Sequence, residues 1–142
     1  MNTVASVMNR KNLAPVTVSP QTTVVEALTI MAEKNIGSVV VVENGNYKGV
    51  MTERDYSRKV ILKGKNSNTI TVEEIMSTDL PSVSPGDSIE HCMEQMSTKN
   101  IRYMPVFENG QLTGIISMSD VVKETILAQK ETIDQLQTYI NS

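Results

Sequence analysis

Apolar positions change their period several times along the chain, and they do so twice in the same order. Val24, Ala27, Leu28 and Met31 recur at i, i+3, i+4 and i+7, which predicts a helix with one buried stripe. Ile89, Cys92, Met93 and Met96 repeat that spacing. Thr23 with Glu26, and Asp87 with Glu90, supply capping-box starts for the two helices. Before each helix a short β-like stretch, Val16 to Val18 and Ser82 to Ser84, runs into Ser-Pro, which cannot sit inside a central ladder. After each helix an apolar run, Val39 to Val42 and Met104 to Phe107, meets Glu-Asn-Gly and then a second run, Tyr47 to Met51 and Leu112 to Ile116. Asn-Gly between apolar runs is a strong hairpin signal, because both residues tolerate positive φ. A second helix is predicted from near Thr52 and near Ser117.

The unit is therefore β-α-β-β-α, and it occurs twice. Shifting the chain by 65 positions superposes Val18-Ser19-Pro20 on Val83-Ser84-Pro85, Lys34-Asn35-Ile36 on Lys99-Asn100-Ile101, Gly49 on Gly114 and Asp55 on Asp120, without a gap. An α+β fold follows, in which each three-stranded sheet carries helices on one side and the two copies pack sheet to sheet about a pseudo-twofold axis. The 142 residues form one module: repeat one about 4–63, a Gly/Asn/Ser/Lys linker at 64–68, and repeat two about 69–125. Thr71 to Met76 has its own capping box and resembles Val4 to Met8, so each repeat has a helical lead-in. Beyond Asp120 the pattern lengthens. Val122, Ile126, Ile133, Leu136 and Ile140 keep helical spacing with no Gly or Pro, which predicts a long C-terminal helix over about 119–141. Gln129 interrupts the stripe and weakens a strict coiled coil; the helix is expected to lie across a neighbouring subunit or the module's own surface.

Composition narrows what such a module does. A net charge of −3 and an aromatic content of one Phe, four Tyr and no Trp leave neither a basic footprint nor stacking platforms, so nucleic acid and anionic membrane are poor partners. Met1 to Ala14 hold no apolar run of the roughly 7–15 residues a secretory signal needs, and no stretch approaches a membrane span of about 20. Together with a single cysteine, this makes the cytoplasm the expected compartment.

Candidate chemistry sits where each copy's last strand ends: Gly49-Val50-Met51-Thr52-Glu53-Arg54-Asp55 and Gly114-Ile115-Ile116-Ser117-Met118-Ser119-Asp120. A hydroxyl three residues before an acid is a capping box, and a strand-to-helix junction needs a cap. The same geometry also suits a ligand. A helix N-terminus favours phosphate, and an ionised Asp is an acceptor fitted to two ribose hydroxyls. Capping alone does not say why both copies use the short Asp instead of Glu or Gln.

These features together resemble a pair of CBS domains, the Bateman module. The resemblance rests on the repeat, the Ser-Pro before the first helix, the Asn-Ile before the second strand and the Gly-x-x-Ser/Thr-x-x-Asp ending, and it runs from about Val4 to Glu124. It implies adenosine-nucleotide binding in the cleft between repeats and a disc-like homodimer of two pairs. By position, Asp120 would hold ribose, Ser117 and Ser119 would approach phosphate, and Ile115 would flank the base, with Val16, Ile36 and Gly37 closing the site. A second site would use Asp55, Thr52, Arg54 and Val50, completed by Pro81, Ile101 and Arg102. Arg54 and Arg102 would give that second site the greater preference for highly charged ligands, leaving AMP for the Asp120 site. ADP, ATP, NAD(H) and S-adenosylmethionine are the related candidates, and no cofactor is required. The rival reading is a scaffold with vestigial nucleotide sites. Either way the output passes through an effector protein or through the assembly.

Other residues carry less. His91 and Cys92 are neighbours on a helix, about 100° apart, and read as surface imidazole and core thiol instead of a metal pair. The Met residues fall on apolar positions as core filler. Arg54, Arg58, Lys59, Lys63 and Lys65 form a basic stretch that serves as a solvated face, with phosphate steering or docking of an acidic partner as the alternative. With no Walker loop, dinucleotide fingerprint or nucleophile–base pair, catalysis has no cast and the expected protein is not an enzyme.

Overall fold

The computed structural model describes residues 2–141. They divide into two compact units, Pro15–Leu80, and Met1–Ala14 with Pro81–Ser142. The sequence repeat and the packing unit thus differ at one point: the lead-in of each repeat belongs to the unit built on the other repeat.

In the first unit, β1 (Thr17–Val18), α2 (Val24–Lys34), β2 (Ser38–Glu43) and β3 (Asn46–Thr52) precede α3 (Glu53–Tyr56), which continues into a π-helical turn at Ser57–Ile61. The sheet order is β1-β2-β3, with β1 parallel and β3 antiparallel to β2. In the second unit, α1 (Val4–Lys11) packs with α4 (Ile89–Lys99), β4 (Tyr103–Glu108), β5 (Gln111–Ser117) and α5 (Met118–Asn141). Both hairpins turn on Asn-Gly in the left-handed region, Asn44 at φ 52° with Gly45 at 79°, and Asn109 at 54° with Gly110 at 76°.

Seven positions of the two cores correspond across the repeat. Val18, Val24, Ala27, Met31, Val39, Val41 and Met51 are buried together in one; Val83, Ile89, Cys92, Met96, Met104, Val106 and Ile116 are their counterparts in the other. Cys92 accordingly takes the place of Ala27, and burial pushes its thiol up to about 11. His91 is exposed.

Two expectations are corrected. Ser82 to Ser84 form no strand, only a parallel bridge from Val83 to Val106, so the second sheet has two strands. The cause is Pro105. Its counterpart Val40 donates its N–H to Val16 O at 2.9 Å, and proline has no N–H to donate. The cap of α4 is Ser88, whose hydroxyl accepts from His91 N at 3.0 Å, and not Asp87, which instead accepts from Ser84 N at 2.7 Å and closes the preceding turn. Ser88 is the true counterpart of Thr23, which accepts from Glu26 N at 3.2 Å.

The exchange of lead-ins is made by matched backbone bonds. Val72 N donates to Thr22 O at 2.8 Å and Glu73 N to Pro20 O at 3.1 Å in the first unit. Val4 N donates to Asp87 O and Ala5 N to Pro85 O, both at 2.9 Å, in the second. The Ser-Pro turn in each copy therefore offers carbonyls to the unpaired N–H groups of a helix start. The lead-ins differ in length: Val4–Lys11 is an eight-residue α-helix, whereas Val72–Glu74 is a single 3₁₀ turn. At the other end, α5 runs 24 residues and buries only Val121 and Glu124. Its first turns, through Ala128, pack on their own unit, and residues 129–141 are exposed throughout.

Candidate functional site

Each repeated Asp closes the turn between a last strand and a helix, and each turn is tied to its own unit. Glu53 N donates to Gly37 O at 3.2 Å, and Met118 N donates to Arg102 O at 2.8 Å. The structure thus groups Ile36 and Gly37 with the Thr52–Asp55 turn, and Ile101 and Arg102 with the Ser117–Asp120 turn. The pairing expected from the repeat, Arg102 with Asp55 and Gly37 with Asp120, joins residues of different units; within a unit the neighbours are the reverse. Val16, Val50 and Arg54 fall in the unit of Asp55, and Pro81, Ile115 and Ser119 in that of Asp120.

The two acids are in unlike states. Asp55 is buried, and both its oxygens are spent. Oδ2 accepts from Thr52 N and from Thr52 Oγ1, each at 3.0 Å. Oδ1 accepts from Ser77 Oγ at 2.9 Å and pairs with Lys59 Nζ at 2.9 Å. Lys59 also donates to Ile75 O at 2.9 Å, so it straps the π-helical turn to the lead-in as well as to the acid. Beside this turn Val50 is buried and its strand edge is covered, with Val50 N to Ser77 O at 3.0 Å and Ser77 N to Val50 O at 2.8 Å. This is a structural cap with its capacity filled.

Asp120 is half-buried and less committed. Its Oδ2 accepts from Ser117 N at 2.9 Å and from Lys11 Nζ at 3.0 Å, and Asp120 N donates to Ser117 Oγ at 3.1 Å. Among the described residues Oδ1 of Asp120 accepts nothing, and the Ser117 hydroxyl, unlike that of Thr52, donates to nothing. Lys11 also donates to Ile115 O at 3.2 Å, and no bridge covers Ile115 among the described residues. Ser119 and Arg102 are exposed. The helix that starts here is α5, with 24 residues, against four in α3, so its amino end carries the fuller dipole. Such a turn can accept from vicinal hydroxyls at Asp120 and donate to an anion through Ser117, the helix end and Lys11.

Lys11, which sequence reasoning missed, brings a positive charge to the Asp120 turn. No signal marked it, since it depends on which copy the first lead-in docks to. Ser77 was missed for the same reason. Lys59 stands four residues after Asp55 on a helical pattern, an i, i+4 spacing that could have found it. At the repeat position of Lys59 stands Glu124, a buried acid paired with Arg10 and accepting from Asn2 Nδ2, so opposite charges hold the two lead-ins. No group of three or more His, Cys, Asp or Glu able to hold a metal occurs among the described residues. No helix among them is long and apolar enough to cross a membrane.

Comparison with known proteins agrees with this architecture. The CBS domain family model matches twice, over residues 4–61 and 72–126. The chain is 35% identical over 117 residues to the CBS domain-containing protein YhcV of Bacillus subtilis, covering 82% of this chain and 83% of that one. It is 34% identical to the mitochondrial CBS domain-containing protein CBSX3 of Arabidopsis thaliana, over 83% of this chain and only 60% of the plant protein's length. Among solved structures, a protein with CBS domains from Burkholderia ambifaria is 36% identical with a TM-score of 0.84, over 90% of this chain and 96% of that one. The CBS domain pair of protein MJ0100, solved in complex with 5′-methylthioadenosine and S-adenosyl-L-methionine, shares the fold at a TM-score of 0.77 and 23% identity, over 92% of this chain and 98% of that one. With both repeats matched and the mixed α+β architecture shared, this chain belongs to the CBS domain family as a tandem pair.

Proposed function

We propose that the chain is a regulatory, non-catalytic module that binds an adenosine compound at the Ser117–Asp120 turn and signals through conformational change or an effector protein. The observation that carries the reading is the unspent Oδ1 of Asp120, set against the saturated carboxylate of Asp55. Asp120 takes the ribose hydroxyls. Ser117, Ser119 and the amino end of α5 face the phosphate or other anionic group, with Lys11 and Arg102 as the cations within the unit. Ile115 and Ile101 flank the base. AMP is the first ligand to test, followed by ADP, ATP, NAD(H) and S-adenosylmethionine. The complex of the MJ0100 pair supports the ligand class, since both of its bound molecules contain adenosine. Thr52, Arg54, Val50 and Asp55, with Val16, Ile36 and Gly37, form the weaker of the two candidate sites.

A homodimer in the form of a CBS disc belongs to the same proposal, as does cytoplasmic action. A scaffold with vestigial sites is the second reading, favoured by the exposed apolar stripe of α5. Thermal unfolding with the adenosine panel separates the two. A ligand at about 100 times its Kd adds roughly 2.7 kcal/mol, a rise of several degrees at this size. That rise is expected in the wild type and in Asp55→Asn, and is expected to vanish in Asp120→Ala. No rise with any member of the panel would leave only the scaffold.

A further inference from the structure

Helix α5 leaves its unit carrying a second apolar face. Val122, Ile126, Ile133, Leu136 and Ile140 are between 47% and 77% exposed. The face that α5 turns inward adjoins this one: Val121 and Glu124 are buried, Thr125 and Ala128 are half-buried, and Gln129 and Ile133, though exposed, border a cavity shared with Asn2 and Ile89. With Gln129 included, the outward positions step by four, three, four, three and four residues, which is a heptad seam. Ile126, Ile133 and Ile140 then stand at a, and Val122, Gln129 and Leu136 at d. Gln129 thereby becomes a regular member of the seam.

The seam also says what covers it. All three a positions are Ile and one of the three d positions is Leu; β-branched residues at a combined with Leu at d favour two parallel strands. Polar and charged positions select the same arrangement. Paired in parallel, Gln129 meets the partner's Gln129 and the two amides satisfy each other, while Lys130 is flanked by the partner's Thr125. Paired antiparallel in the register that matches a to d, Gln129 would face the partner's Ile133 and Lys130 would face its own counterpart, leaving an unpaired amide and like charges together. A second copy of this helix presents the matching Gln, Thr and Lys positions in register.

We infer that α5 forms a parallel two-stranded coiled coil with α5 of a second copy, through Val122 to Ile140 and with Gln129 fixing the register. This deepens the dimer proposed above by naming the element that holds it, and it is independent of the ligand. Val122 to Ile140 falls just short of three heptads, the lower end for persistent coiled coils, so the pairing is expected to be weak and reversible.

The test uses the full chain. The wild type is expected to sediment as a dimer, and Ile133→Asp to raise the dissociation constant at least about 100-fold. Position 133 is exposed and helical in the monomer, so far-UV circular dichroism of the variant at low concentration should match that of the wild type. Leu136→Cys should form a covalent dimer on mild oxidation, since parallel pairing sets the two d positions side by side; the native Cys92 is buried and does not compete. Adding Ile133→Asp should abolish the cross-link. A monomeric wild type would overturn both the seam and the dimer. A wild-type dimer that ignores Ile133→Asp, or in which Leu136→Cys cross-links only to an Ile126→Cys chain, would overturn the seam and leave the dimer to another surface.

Discussion

Gly49 and Gly114 occupy the same place in the two repeats, yet adding one methyl group to each has unequal consequences. A Cβ on Gly49 would stand 2.7 Å from the backbone oxygen of Ser77 and 3.2 Å from Met76 Sδ. A Cβ on Gly114 would meet only Met8 Sδ, at 2.8 Å. Neither glycine has positive φ, so alanine fits the backbone at both, and the loss of unfolded-state freedom alone would stabilise each variant by about 0.4–1 kcal/mol. Against this, Met8 can swing its sulfur aside, whereas Ser77 cannot move without breaking its two backbone bonds to Val50 and its hydroxyl bond to Asp55. Overpacking costs about 1–3 kcal/mol and each lost bond about 0.5–1.5 kcal/mol. Gly114→Ala should therefore stay within about 1 kcal/mol of wild type, and Gly49→Ala should lose roughly 3–5 kcal/mol. In thermal unfolding followed by circular dichroism, the two midpoints should separate by roughly 10 °C. Equal midpoints, or the greater loss at Gly114, would refute the claim that backbone against one glycine and side chain against the other distinguishes the repeats.

Two further outcomes follow from the second unit. Cys92 is buried and its thiol is pushed up to about 11, so at pH 8 its thiolate fraction is roughly two orders of magnitude below that of a free cysteine, and alkylation by iodoacetamide should slow at least in proportion. Above the ordinary thiol range the unfolded chain releases this proton while the folded chain keeps it, so this group lowers stability progressively from about pH 8.5 to 11; urea midpoints of Cys92→Ala, which lacks the group, should fall less over that window. In Pro105→Val an N–H is restored where Val40 has one, and hydrogen exchange should find that amide protected by the oxygen of Pro81; rapid exchange would mean that Pro105 is not what keeps Ser82 to Ser84 from pairing.

Most of the fold was legible because the repeat states every element twice. The helical stripes, both Asn-Gly hairpins and the helix starts after Thr52 and Ser117 stand where the pattern puts them. Local readings failed where one residue overruled the pattern: Pro105 removed a donor that Val40 supplies, and Ser88 outcompeted Asp87 for the cap because it is one position closer to the first helical turn. The destination of the lead-ins was not legible at all. Val4 and Val7 match Val72 and Ile75 in kind, so apolar pattern gives either lead-in equal reason to dock on either hairpin, and only long-range backbone bonds decide.

That unreadable exchange is also what makes the two Asp turns unequal. Aligned on Met76 and Met8, Ser77 corresponds to Asn9. The lead-in before Ser77 is a single 3₁₀ turn, so the chain is extended again by Ser77; it can lie along β3, cover Val50 and send its hydroxyl to Asp55. Asn9 is still inside an eight-residue helix, whose backbone N–H groups are turned inward to its own carbonyls, and it cannot pair with β5. What reaches the Ile115 edge and Asp120 instead is one flexible side chain, Lys11, from the last turn. A backbone bridge with a buried hydroxyl cannot yield to a ligand without unravelling a strand edge, whereas a lysine held by two part-buried side-chain bonds can turn from the carboxylate to an incoming anion without breaking any backbone pairing. The difference between the filled cap at Asp55 and the less committed one at Asp120 therefore originates in the length of two lead-in helices and not in the Gly-x-x-Ser/Thr-x-x-Asp motif, which is the same in both.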